Sequence, residues 1–196
     1  MFIPRHPVVE NQFCQFTTTT GTTATAGAGG VLAYAGSVCY LDDTGTGATV
    51  KIYGANEDKA PFGFLMQKVK VGYHSIHPAG MVLPGDLGSS DVIAQPSYNS
   101  NGVINGSKPA PVGVAHLGIW DTIHYRYDNS GASSTAINAG QGLKIASTGL
   151  SELTVNNGNS NQTQDVAITV KGASAAQVDA NVKNTTLYPI RVKLLV

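Results

Sequence analysis

Four separate stretches of this chain repeat their apolar residues at every second position. Ala48, Val50 and Ile52 alternate with Thr49, Lys51 and Tyr53, and Gln67, Val69 and Val71 alternate with Lys68 and Lys70. Val166, Ile168 and Val170 alternate with Asp165, Ala167, Thr169 and Lys171, and Ile190, Val192 and Leu194 with Arg191 and Lys193. A strand turns successive side chains to opposite faces, so this period builds sheet with one face on a core and the other toward solvent. Half-buried strands of this kind are typical of antiparallel sheets. Turn-forming clusters separate them: Asp42-Asp43-Thr44-Gly45, Pro84-Gly85-Asp86, Asn101-Gly102, Asn105-Gly106, Asn129-Ser130-Gly131 and Asn156-Asn157-Gly158. Many short strands punctuated in this way predict an all-β fold, a small antiparallel barrel or a sandwich. At most one short helix fits, over Ser174 to Asn181 with Ser174 as its N-cap.

The 196 residues suit one domain, or one domain with an appendage. Residues 1–30 differ from the rest: Pro4 and Pro7 disfavour helix, and the tract Thr17 to Gly30 holds Thr, Ala and Gly with no large apolar side chain. Such a tract cannot fold around itself. It reads as a disordered tail or as an extended arm that orders against a neighbouring subunit, with Phe2, Ile3, Phe13 and Phe16 as the arm's anchors. Residues 31–196 then form a single β-rich domain. Within it, 84–111 and 129–141 lack periodicity and are expected to be long loops, which are commonly functional or interfacial.

Charge narrows the function classes. Only 12% of the residues are charged, against about 25% in an ordinary soluble domain. Lys plus Arg and Asp plus Glu both number 12, so the formal charge is zero. That balance exerts no long-range pull on nucleic acid or on an anionic membrane, and it removes the repulsion that keeps copies apart. No stretch approaches the roughly 18 apolar residues of a membrane-spanning helix. The first residues lack the basic region and apolar run of a secretory signal, so synthesis in a cytoplasm without export by that route is expected.

Motifs for chemistry are weak. His74 and His77 lie three apart in a segment that reads as strand, where such a pair faces opposite ways, and no ligand spacing joins them to His116 or His124. Asp42-Asp43-Thr44-Gly45-Thr46-Gly47 lacks the alternating ligands and closing Glu of a calcium loop and reads as a plain turn. There is no Gly-x-Ser-x-Gly elbow, and Gly27-Ala28-Gly29-Gly30 is followed by no Gly-Lys-Ser/Thr. Glu10, Glu57 and Glu152 are scattered. Cys14 and Cys39 are too few for a disulfide framework; Cys39 reads as a small buried hydrophobe, and a bridge to Cys14 stays open. The chain therefore reads as non-enzymatic, with no catalytic, cofactor or metal site. Ionisable groups are sparse, and neutral hydrogen-bonding side chains suit contact with other protein surfaces.

One aromatic stretch, Trp120-Asp121-Thr122-Ile123-His124-Tyr125-Arg126-Tyr127-Asp128, holds the residue types that anchor interfaces. Trp120, Tyr125, Arg126 and Tyr127 are candidate contacts, the alternative being a strand that packs one side on the core. The same aromatics could stack on sugars. They lack the basic groove that a nucleic-acid platform needs.

The stretches Ala35-Gly36-Ser37-Val38-Cys39-Tyr40-Leu41 and Ala139-Gly140-Gln141-Gly142-Leu143-Lys144-Ile145 share a rhythm, a small-Gly turn before an apolar strand, and they are joined by Ala60-Pro61-Phe62-Gly63-Phe64-Leu65 and the closing Ile190-Arg191-Val192-Lys193-Leu194-Leu195. In that rhythm, and in a Gly/Thr/Ala-rich leader before a β module, residues 25–196 resemble the capsid decoration, or cement, proteins of tailed bacteriophages. The region from His74 to Pro111 has no counterpart in that layout and is either an extra subdomain or a capsid-facing loop. The resemblance implies a small β-barrel or β-tulip. It also implies a non-enzymatic virion protein on the outer surface of an icosahedral capsid, binding the major capsid protein and itself as a homotrimer. Another virion component (fibre, tail or baseplate) and a carbohydrate-binding β-sandwich are the alternative readings.

Overall fold

A computed structural model of the chain describes residues 2–5, 11–17, 31–43, 46–53, 59–71, 91–102, 104–126, 135–146, 151–156 and 164–196. In chain order the strands are β1 (Phe2–Pro4), β2 (Asn11–Phe16), β3 (Val31–Ala33), β4 (Val38–Leu41), β5 (Thr49–Ile52), β6 (Gly63–Leu65), β7 (Val69–Val71) and β8 (Val92–Ala94). There follow β9 (Pro96–Tyr98), β10 (Ile104–Ser107), β11 (Ala110–Ala115), β12 (Ile119–Thr122), β13 (Gly142–Ile145), β14 (Leu153–Val155) and β15 (Ala167–Lys171). One helix, α1 (Ala175–Val182), precedes the last strand, β16 (Ile190–Leu194). The fold is all-β with a closed barrel, as the alternation predicts.

Five strands close the barrel in the order β11-β2-β5-β4-β6, and six form a sheet in the order β1-β12-β16-β15-β13-β14. A three-stranded sheet, β3-β7-β8, and the hairpin β9-β10 complete the ladders. Most are antiparallel, but β2–β5 and β7–β8 run parallel. Two apolar clusters fill the structure. Cys14, Phe16, Cys39, Val50, Leu65, Val112 and Val114 point into the barrel, and Leu32, Val69, Val71 and Ala94 of the three-stranded sheet join them. The second cluster joins the six-stranded sheet, α1 and the outer sides of β4 and β6, through Trp120, Tyr125, Leu143, Val178 and Ile190 on one part and Val38, Tyr40 and Phe64 on the other.

This layering explains why the runs Val38-Cys39-Tyr40 and Gly63-Phe64-Leu65 lack alternation. Cys39 and Leu65 face the barrel interior while Val38, Tyr40 and Phe64 face the sheet, so both sides of β4 and β6 are buried. Gly63 sits where the walls meet. A Cβ there would lie 2.5 Å from Val114 Cγ1 and 2.8 Å from the Ala115 carbonyl oxygen, closer than packed carbons approach.

The alternating segments keep their phase in two cases and in a third only at Val50, since Ala48 is exposed, Ile52 is half-buried and Tyr53, expected on the opposite face, is buried. Val50, Val69 and Val71 are buried beside half-buried Lys51 and Lys70, and Ile190, Val192 and Leu194 are buried beside Arg191 and Lys193. In β15 the phase is inverted: Ala167 and Thr169 are buried while Val170 is 45% exposed. The ladder to β16 shifts register between Thr169 and Lys171.

Other expectations are corrected. Residues 91–111, expected within a long loop, form β8, β9, β10 and the start of β11. Their short length and polar composition hide them, although Ala94 and Ala110 are buried in the barrel-side core. Asn101-Gly102 does make a turn, with Gly102 at φ +74° and its N–H donating to the Asn99 carbonyl. Asn105-Gly106 instead lies inside β10, where the pairing with β9 is irregular between Ile104 and Gly106. Residues 135–141 hold only the isolated bridge Ile137–Ala173 and a turn with Gly140 at φ +85°. The Pro84 and Asn129 turns and the His74–His77 pair lie outside the described residues.

The helix begins where its sequence requires. Ser174 Oγ accepts from the Gln177 N–H, and the Gln177 side chain accepts from the Ser174 N–H, a reciprocal capping box. Ser174→Ala should cost about 1 kcal/mol. Thermal melting should record that as a fall of roughly 2–4 °C for a chain of this size.

Candidate functional site

The arm anchors are divided by the structure. Phe2 lies on β1 and is 8% exposed; its ring stacks between Trp120, at a centroid distance of 4.3 Å, and Phe64, at 5.8 Å. Phe16 is fully buried inside the barrel. Ile3 pairs through its backbone with Asp121. Phe2 and Phe16 thus anchor this chain's own core, and residues 2–4 and 11–16 are strands of its sheets. The Thr-rich segment 18–30 lies outside the described residues.

The aromatic stretch follows the same logic. Trp120 is 1% exposed, its indole N–H donates to the Leu117 carbonyl, and it belongs to the core rather than to an interface or a sugar platform. Tyr125 is buried too, and its hydroxyl donates to the Tyr188 carbonyl at 2.6 Å. Burial pushes the Tyr125 phenol up to about 12, so it acts as a neutral donor. Arg126 is half-buried beside Glu152, while Tyr127 lies outside the described residues.

Phe13 alone of the described candidates is solvent-facing. It sits inside β2 and is 81% exposed, on the outer wall of the barrel, in the alternating pattern exposed Phe13, buried Cys14, exposed Gln15, buried Phe16. Directly opposite stands Gly113, which has no side chain to cover the ring. Gln15 and its cross-strand partner Pro111 are exposed on the same wall. β11 pairs with β2 along its whole length, Phe13 included, while β5 pairs with it at Gln15 and Phe16. Leu41 and Leu117, both about two-fifths exposed, add apolar surface elsewhere.

Ionisable groups are committed to structure. Asp121 receives Arg5 Nε at 2.6 Å and Arg191 Nε at 2.8 Å, with Arg191 Nη2 at 3.3 Å. Sequence reading missed this cluster because its members are 116 and 70 residues from Asp121. Asp91 takes Lys70 at 2.8 Å and Lys68 at 3.4 Å, and Asp42 takes Lys51 at 2.9 Å. Among the described residues no three His, Cys, Asp or Glu side chains gather to hold a metal. His116 Nδ1 instead lies 2.7 Å from the Phe62 carbonyl oxygen. Cys14 and Cys39 are free thiols in the barrel interior, and burial raises both above the ordinary thiol range, so they are poor nucleophiles.

The Asp121 cluster gives β1 a pH dependence. Hydrogen bonding from Arg191, opposed by partial burial and aided by Arg5, holds the Asp121 carboxyl below the ordinary value of 3.8. A depressed carboxylate stabilises the fold fully above its unfolded value, and that contribution disappears as pH falls through the folded value. Below about pH 4, amide exchange in β1 should therefore accelerate relative to β16. Asp121→Asn should show the same fast exchange already at pH 7.

No family model matches the chain, and no curated protein matches it.

Proposed function

We propose that this chain is a non-enzymatic structural protein of a virion, which binds the outer surface of an icosahedral capsid and stabilises contacts between major capsid subunits. The observation that carries the proposal is the exposed Phe13 on the closed barrel wall. The backbone of Phe13 is fixed by its pairing with β11, so only the two side-chain torsions remain to be ordered in a partner's pocket, and buried aromatics dominate interface energetics. Zero net charge lets many identical copies crowd onto a lattice without mutual repulsion. The ion clusters at Asp121, Asp91 and Asp42 support a static role, since each links strand segments. In this reading the barrel wall takes over the docking that sequence assigns to the N-terminal anchors, and the protein acts as a homotrimer on the shell.

Co-sedimentation with particles stripped of accessory proteins tests the proposal. Wild-type protein should pellet with the shells. Phe13→Asp should lose most of that binding while its stability stays within the small range expected of a surface substitution, about ±0.5 kcal/mol. Equal pelleting of both proteins would remove Phe13 from the contact. Light scattering should give a mass three times 20.3 kDa.

A further inference from the structure

A cleft of about 330 Å³ lies where the six-stranded sheet, α1 and the turn before β4 meet. That volume is at the small end of the range for ligand sites, roughly 300–1,000 Å³. Tyr34 and Leu187, 39% and 55% exposed, give it apolar walls. Arg126 and Glu152 line it as a pair, with Nη1 and Oε2 3.5 Å apart. His124 lies against Tyr34, ring centroids 5.2 Å apart, and its Nε2 is 3.0 Å from Ser37 Oγ.

The backbone holds these groups in place. The Arg126 N–H donates to the Leu153 carbonyl, and the Leu153 N–H donates to the His124 carbonyl. Asn181 of α1 spends its side-chain amide on the Ile123 and Tyr125 carbonyls, at 2.9 and 3.4 Å. Those two bonds fix which end of the amide is oxygen. Asn181 is 5% exposed and lines the cleft, and its Oδ1, closed to solvent, has no hydrogen-bond partner among the described residues.

We propose that this cleft binds a neutral pyranose sugar. The Arg126–Glu152 pair cancels in charge, which disfavours both anions and cations. It presents donors and acceptors side by side, and the hydroxyl is the group that satisfies both at once. Asn181, whose side-chain amide holds the Ile123 and Tyr125 carbonyls, lines the cleft beside that pair. The apolar edge of a sugar ring fits against Tyr34 and Leu187. The site is distinct from the barrel wall that carries Phe13, so it stands whether or not the protein coats a shell.

The test uses the full chain. D-glucose, D-galactose, D-mannose and N-acetyl-D-glucosamine, with their methyl glycosides, are titrated while ¹H–¹⁵N spectra are recorded. At least one neutral sugar should shift the Asn181 side-chain amide and the His124 signals saturably. Glu152→Gln, which keeps the shape of the side chain, should weaken that sugar roughly tenfold, the loss of one charge-assisted hydrogen bond. Tyr34→Ala should weaken it as well. Binding of a methyl glycoside identifies the terminal sugar of a glycan, and binding of the reducing sugar alone identifies a free sugar. Saturable shifts by none of these sugars would overturn the proposal, as would shifts that avoid Asn181 and His124 in the wild-type protein.

Discussion

A chain that begins at residue 31 should fail to fold. Removal of residues 1–30 takes out β1 and β2, and β2 is a stave of the closed barrel, paired along all six of its residues with β11 and at its end with β5. Its loss turns β11 and β5 into open edges and empties the barrel interior of Cys14 and Phe16. Phe2 leaves the other core at the same time. Truncation of one buried Phe costs about 3–5 kcal/mol, and a whole domain has only about 5–15 kcal/mol in hand. The truncated protein should show collapsed ¹H–¹⁵N dispersion and no cooperative melt. A separable arm gives the opposite result: a truncated chain that melts as sharply and at the same temperature as the full one.

Trp120→Ala should be the most damaging single substitution in the six-stranded sheet. The indole is the largest fully buried side chain, stacked at 7° to Phe2 and hydrogen-bonded to the Leu117 carbonyl. The expected cost is about 3–5 kcal/mol. Calorimetry should record this as a fall in melting temperature on the order of 10 °C. Phe2→Ala should cost a comparable amount, and the double variant less than the sum, because the two rings share one contact. An unchanged melting temperature with lost partner binding would return Trp120 to the surface.

The sequence carries the fold class and the helix because both depend on local pattern. The alternation at Ile190, Val192 and Leu194 survives into the structure, since one face of β16 meets the core and the other does not. Ser174 and Gln177 announce the helix start because a capping box is satisfied within four residues. What stays hidden is long-range. Val170 looks as apolar as Ile168, yet the neighbouring strand and its register turn Val170 outward and Ala167 inward. Phe2 and Phe16 stand beside a tract with no core of its own, and nothing nearby shows that Trp120 and Phe64 close over one of them and the barrel over the other. Phe13 differs from Phe16 only in strand phase, which a six-residue segment flanked by polar residues does not fix. The cleft of Tyr34, Arg126, Glu152 and Asn181 is assembled from four separate stretches and leaves no motif.

Image reconstruction of stripped capsids saturated with the purified protein tests the central claim most directly. Icosahedrally arranged density on the outer surface, with the barrel wall bearing Phe13 turned toward the shell, is the predicted result. Shells that remain bare at saturating protein would contradict it.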